Sequence, residues 1–319
     1  MRERVRITEV GPRDGLQNEP GVIPTASKAR LVELCAMSGV DEVEVTSFVS
    51  PKWVPQLGDA GEVIAALGES EAVRSLGRRV AFSALTPNST GLDGVEKANG
   101  VSGQRVLNKV SVFTAASETF NRKNTNASIA ESIERFRPLV ERARDSGLFV
   151  RGYISCVIAC PFEGAIAPEK VAEVSGSLVG IGVDEVDLGD TIGAGTPSSV
   201  AAMLIAVRRS LGDEWWDAES MTLHLHDTFG RAAECVKAAL DLGVRSFDGS
   251  VAGLGGCPYA STPGKRAPGN IATETLVRTV HEAGFETGVD LDKLAEAAAY
   301  ARDIVNMARA EAAAAGGAA

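Results

Sequence analysis

Cysteine, histidine and aromatic side chains are all scarce in this chain of 319 residues. Its five cysteines, Cys35, Cys156, Cys160, Cys235 and Cys257, are too few and too scattered for a disulfide framework. Their odd number predicts at least one free thiol and fits a reducing compartment. Cys156 and Cys160 stand four apart, which matches neither a thioredoxin-type pair nor a close zinc knuckle. Aromatics make up 5% of the residues, and Trp53, Trp215 and Trp216 form no stacking stripe. No apolar run reaches about 18 residues, which excludes a helical membrane span. The start, Met1-Arg2-Glu3-Arg4, lacks the apolar core of a signal peptide, and its acidic residue argues against a transit peptide. The expected location is therefore the cytoplasm. Positive charge is short as well. Lysine plus arginine is 32 against 42 acidic residues, a net charge of −10, so a nucleic-acid partner is not expected.

What is present is an ordinary globular composition, 45% hydrophobic and 23% charged. Glycine is abundant at 34 residues, without the collagen period, which predicts many tight loops. The length suits either two domains of ~150 residues or one α/β barrel of ~250 residues with additions. Strand-like and helix-like runs alternate throughout. Strands are expected at 5–10, 42–46, 79–85, 106–113, 149–155, 185–188, 221–225 and 244–247. Helices are expected at 26–37, 60–67, 126–146, 168–178, 198–211, 231–242 and 271–283, with one or two more over 291–314. Eight such units predict an α/β fold, a (β/α)8 TIM barrel with additional C-terminal helices. We expect a single catalytic domain over 1–319, with the barrel at about 5–285 and the helical extension at about 290–315. A doubly wound sheet would usually carry a glycine fingerprint after its first strand, and Gly11-Pro12-Arg13-Asp14-Gly15 is not one.

A barrel places its chemistry at the C-terminal ends of its strands. Polar residues gather there repeatedly: Arg13, Asp14 and Gln17 after strand one, Glu44 in strand two, Asp190 after strand six, His224, His226 and Asp227 at strand seven. Two residues apart on a strand, His224 and His226 face the same side and can bind one divalent ion, or be hydrogen-bonded histidines of the mouth. Asp14 is the best carboxylate to join them, with Glu44, Asp190 and Asp227 competing. Such a site without thiolates suits Mg²⁺, Mn²⁺, Co²⁺, Fe²⁺ or Zn²⁺. Arg13 is either a surface ion-pair partner of Asp14 or a fixed guanidinium beside the metal. Glu44 is an inward carboxylate, holding that arginine or sitting in an ion-pair layer. Asn270 is either a helix N-cap or an oxygen ligand. The glycine-rich stretch Val251–Tyr259 is read as a catalytic loop carrying Cys257, against a loop cysteine with no role. Lys52 and Lys109 are weak candidates for rim contacts to phosphates.

Together these stretches resemble the 3-hydroxy-3-methylglutaryl-CoA lyase family of the metal-dependent aldol/Claisen barrel superfamily. The resemblance is carried by Val10-Gly11-Pro12-Arg13-Asp14-Gly15-Leu16-Gln17-Asn18-Glu19 and Thr46-Ser47-Phe48-Val49-Ser50-Pro51-Lys52-Trp53-Val54-Pro55-Gln56. It continues in Arg151-Gly152-Tyr153, Gly189-Asp190-Thr191-Ile192-Gly193, His224-Leu225-His226-Asp227-Thr228 and the loop through Cys257, Pro258 and Tyr259. It implies Asp14, His224, His226 and Asn270 as ligands of Mg²⁺ or Mn²⁺. It implies Arg13 as enolate stabiliser, Glu44 as its support and Cys257 as catalytic acid, with His226 or Asp190 as the base. The implied substrate is an acyl-CoA, cleaved to acetyl-CoA and acetoacetate in a route such as leucine breakdown or ketone-body formation, and the implied assembly is a homodimer. Gln17, Lys52, Lys265 and Arg266 are candidate contacts to the CoA moiety.

The segment Ala260–Ala267 is longer than the family's usual approach to the asparagine and adds Lys265 and Arg266. Val45 and Phe229 also depart from the family's usual threonine and tyrosine. These changes leave open a relative acting on another 3-hydroxy-acyl-CoA, longer-branched or citramalyl. A condensing synthase of the superfamily and a non-catalytic metal-binding protein are the other classes considered.

Overall fold

The computed structural model describes residues 2–101, 104–256 and 269–316. Eight parallel strands close into a barrel: β1 (Arg6–Glu9), β2 (Glu42–Ser47), β3 (Ala81–Leu85), β4 (Lys109–Ala115), β5 (Phe149–Ser155), β8 (Glu185–Asp190), β9 (Met221–Leu225) and β10 (Ser246–Gly249). A small antiparallel hairpin, β6 (Ala159–Cys160) with β7 (Gly164–Ala165), follows the fifth barrel strand. Closure is direct, since β1 pairs with β10 on one side and β2 on the other.

The helices are α1 (Thr25–Met37), α2 (Ala60–Glu69), α3 (Glu71–Leu76), α4 (Ser89–Val101), α5 (Glu118–Thr125), α6 (Ile129–Asp145), α7 (Pro168–Gly180), α8 (Pro197–Leu211), α9 (Ala232–Asp241), α10 (Thr273–Glu282) and α11 (Leu291–Gly316). The expected (β/α)8 barrel with additional C-terminal helices is therefore the observed architecture. None of the described helices is long and apolar enough to cross a membrane.

Period-two alternation sorts each strand into two faces. Val43, Val45, Val110, Val112, Val150, Leu188, Leu223 and Phe247 belong to the apolar core shared with the helices. The residues between them are polar and fill the lumen. Lys109 on β4 pairs with Glu42 on β2, at 2.8 Å, and with Glu185 on β8. Neither strand is a neighbour of β4, so these contacts cross the barrel interior. Arg151 on β5 reaches Glu42 at 3.0 Å and Glu185 at 2.9 Å. Lys109 is thus buried in the lumen, which corrects the expectation of a phosphate contact at the rim. Burial opposes ionisation of Glu42, but the charges of Arg151, Lys109 and Arg6 overcome it and hold the carboxyl well below its usual range.

Several element boundaries differ from expectation. α4 was not anticipated. Its Gly91, Gly94 and Gly100 weaken the helical signal, and tertiary burial of Leu92, Val95 and Ala98 supplies what propensity does not. The expected helix over 126–146 is α6, trimmed to Ile129–Asp145, and α5 before it was not anticipated. α5 ends at Asn126, whose φ of 52° is left-handed, and a Ser128–Glu131 capping box starts α6. α6 runs on through Pro138 to Asp145. Strand four lies at Lys109–Ala115 rather than 106–113, and strand eight at Ser246–Gly249 rather than 244–247.

Candidate active site

β1 leads into a single π-helical turn, Gly11–Gly15, in which Gly15 N–H and Asp14 N–H both donate to the carbonyl of Val10. Such turns re-aim consecutive side chains and are frequent at functional sites. Here it carries Arg13 and Asp14. Glu9 fastens it from below, accepting from the Gly11 amide at 2.7 Å, the Val251 amide at 2.8 Å and the Thr273 hydroxyl at 2.6 Å. That carboxyl is wholly buried, and burial raises it to about 8.

Arg13 is locked on two sides. Its Nε donates to Glu44 and its Nη1 to Asp14 at 2.6 Å. Glu44 is itself held by the Ser111 hydroxyl at 2.6 Å and the Tyr153 hydroxyl at 3.2 Å. Burial disfavours the Arg13 cation, but Glu44 and Asp14 more than compensate and raise its pKa further. The guanidinium is therefore a fixed, permanent charge whose Nη2 is not used by these two carboxylates.

His224 and His226 lie at the mouth with ring centroids 5.1 Å apart. Asp14, His224 and His226 can place one ligand atom each within 4.8 Å of one another. Burial opposes ionisation of Asp14, but Arg13, the two histidines and Asn270 bring it down to about 2. Burial, then the neighbouring His224, push His226 down to about 3. Asn270 is not an N-cap, since α10 begins after Ala272. Its amide donates to Asp14 at 2.8 Å and to the Leu254 carbonyl at 3.0 Å. Its Oδ1 is buried without a partner, as is His226 Nδ1. Buried polar atoms are normally satisfied, so two orphans beside a carboxylate and a second imidazole fit the binding of a divalent ion. Gly255 makes this approach possible: its φ is +92°, and a Cβ there would stand 2.6 Å from Asn270 Nδ2.

The cluster forms one end of a cavity of about 950 Å³ that is also lined by Gln17, Leu85, Phe113 and Tyr153. Trp53, 84% exposed, and Lys123 and Arg135 line it too. Of the expected residues, the structure brings together Arg13, Asp14, Gln17, Glu44, His224, His226 and Asn270. Lys52 is exposed and does not line the cavity. Asp190 is buried, and its carboxylate accepts from the amides of Ala194 at 3.1 Å and Gly195 at 2.7 Å, which ties it to the loop after β8. Cys257, Lys265 and Arg266 lie outside the described residues. Lys123 and Arg135 were not anticipated. They sit on α5 and α6, and a cation on a polar helix face gives no signal of a nearby cavity until the helix is placed.

The HMGL-like family matches residues 4–300 of the chain. The mitochondrial hydroxymethylglutaryl-CoA lyase of Bos taurus is 44% identical over 304 residues, covering 95% of this chain and 86% of that protein. The HMG-CoA lyase structure from Brucella melitensis is similar with a TM-score of 0.85 at 44% identity, covering 95% of this chain and 99% of that one. An HMG-CoA lyase from Acinetobacter baumannii, solved in complex with coenzyme A and 3-methylmalate, gives a TM-score of 0.82 at 33% identity, covering 95% and 92%.

Proposed function

The chain belongs to the HMGL-like family of metal-dependent HMG-CoA lyases, and from that premise we propose how its residues cleave 3-hydroxy-3-methylglutaryl-CoA to acetyl-CoA and acetoacetate. The observation that carries the reading is the grouping of Asp14, His224 and His226 beside a buried, doubly anchored Arg13. Asp14, His224, His226 and Asn270 would hold a divalent ion, in this reading Mg²⁺ or Mn²⁺, with two oxygens, two imidazole nitrogens and no thiolate. Such an ion supplies Lewis-acid polarisation of substrate oxygens.

The protein's own groups do the rest. A base takes the proton of the tertiary hydroxyl. Of the two candidates, His226 lines the cavity, whereas Asp190 is engaged by backbone amides. The C2–C3 bond then breaks. The hydroxyl carbon becomes the ketone of acetoacetate, and the bonding electron pair passes to C2 as the enolate of acetyl-CoA. Arg13 Nη2 meets the developing negative charge on the thioester oxygen. Glu44 and Asp14 keep the guanidinium from reorienting, so no reorganisation is needed at the moment of reaction. Cys257 delivers the proton to C2 that completes the acetyl group.

Lys123 and Arg135, with Gln17, line the cavity and are the groups we assign to the phosphates and amides of the CoA chain. A homodimer in the cytoplasm belongs to the same reading. The buried free thiols Cys35, Cys156, Cys160 and Cys235 suit a reducing compartment. Incubation with Mg²⁺ and 3-hydroxy-3-methylglutaryl-CoA should yield equal amounts of acetoacetate and acetyl-CoA. Rapid cleavage of a citramalyl or longer-branched thioester with no acetoacetate from this substrate would reject the assignment.

A further inference from the structure

We propose that Asp248 is a positioning residue of the metal centre, fixing the His224 imidazole so that one ring nitrogen faces the ion. The inference rests on the metal-site reading above and concerns a carboxylate with no other role in the mechanism. Asp248 on β10 is the register partner of His224 on β9. Its Oδ1 lies 2.8 Å from His224 Nδ1. It is only 1% exposed, and no aligned hydrogen-bond donor meets either oxygen among the described residues. A buried carboxylate is costly unless paired, and the imidazole is the group in close contact with it. With Nδ1 against Asp248, Nε2 is the His224 nitrogen left for an ion shared with Asp14 and His226.

The contact is continuous with the lumen below. Asp187 on β8 is also buried without an aligned partner, and it is near enough to Asp248 for their like charges to oppose each other. Arg151 Nη1 stands 3.7 Å from Asp187. A line of buried groups, Arg151, Asp187, Asp248 and His224, thus runs from the ion-paired lumen to the mouth. The ring orientation of His224 is set by the barrel wall and not by the metal alone. Carboxylates of this kind raise ligand basicity and fix the ring, and their loss typically weakens metal binding by about 10- to 100-fold.

The test is a calorimetric titration of the full-length, metal-stripped protein with Mn²⁺, in wild type, Asp248→Ala and Asp248→Asn. We expect Asp248→Ala to lose about 10- to 100-fold in affinity. Asp248→Asn should lose less, because its amide oxygen can still accept from Nδ1–H. Thermal unfolding of both metal-free variants should stay close to wild type. A lowered Tm with Mn²⁺ affinity within about threefold of wild type would mean a merely structural role and overturn the inference. Should the alanine variant fail to fold, the asparagine variant decides on the same threshold. If wild type itself binds no Mn²⁺, the metal-site reading falls first, and that failure is read independently of either variant.

Discussion

At the scale of single residues, the site is a set of charges whose mobility has been removed. Arg13 touches Glu44 and Asp14, Glu44 touches Ser111 and Tyr153, and Asp14 touches Asn270. Arg13 Nη2 is the guanidinium nitrogen that these contacts leave for chemistry. Replacing Arg13 by glutamine keeps a planar hydrogen-bond donor but shortens the side chain and removes the charge. We expect kcat to fall by ~10²–10³-fold, the usual loss when one stabiliser of a developing oxyanion is removed. Steady-state kinetics with saturating metal check this, and an unchanged kcat would dissociate Arg13 from the enolate. The histidine pair was legible in the sequence because alternation on a strand is a local rule. Asp14 was legible as the best of four carboxylates, and only closure of the barrel chose among them. The backbone contacts of Asp190 were not legible, because a strand-end position does not say which way the carboxylate turns.

At the scale of elements, the loop after the π-helical turn is held down by the C-terminal helix. Arg309 of α11 makes a two-pronged pair with the buried Glu19, at 2.7 and 2.9 Å. Gly21 packs so closely against α11 that a Cβ would lie 2.0 Å from the Ala308 carbonyl oxygen. Gly21→Ala should therefore destabilise the fold by about 1–3 kcal/mol, the usual cost of overpacking. Chemical denaturation measures it, and an unchanged midpoint would show that α11 does not constrain this loop. The elements themselves were unequally legible. β5 and β9 were read at their observed limits, because in each apolar residues alternate with the polar ones that face the lumen. α4 was hidden by its glycines, and α5 by a sequence in which Phe120 is the one apolar side chain, too few for a helical period.

At the scale of the whole molecule, the apolar core lies outside the barrel wall and the lumen is ionic. Lys109 was misread for this reason, since a lysine that crosses the lumen looks the same in sequence as one at the rim. Stability should respond to pH in two opposing ways. Glu42 and Asp14, depressed in the fold, stabilise it above their unfolded range, and this contribution is lost as pH falls. Glu9 acts in reverse. Its folded pKa of about 8 exceeds the usual 4.5, so the folded state holds the extra proton and stability declines as pH rises between these values. Glu9→Gln should remove that slope and gain on wild type by about 1.4 kcal/mol per pH unit through this window. A constant difference from pH 5 to about 8 would contradict it.

The central claim is that the ion held by Asp14, His224, His226 and Asn270 is required for cleavage of 3-hydroxy-3-methylglutaryl-CoA. Acetoacetate formation by the chelator-stripped protein, before and after Mg²⁺ or Mn²⁺ is restored, tests it most directly. The account predicts no acetoacetate before restoration and one equivalent per substrate cleaved after it. Equal rates in the two states, or no acetoacetate in either, would contradict it.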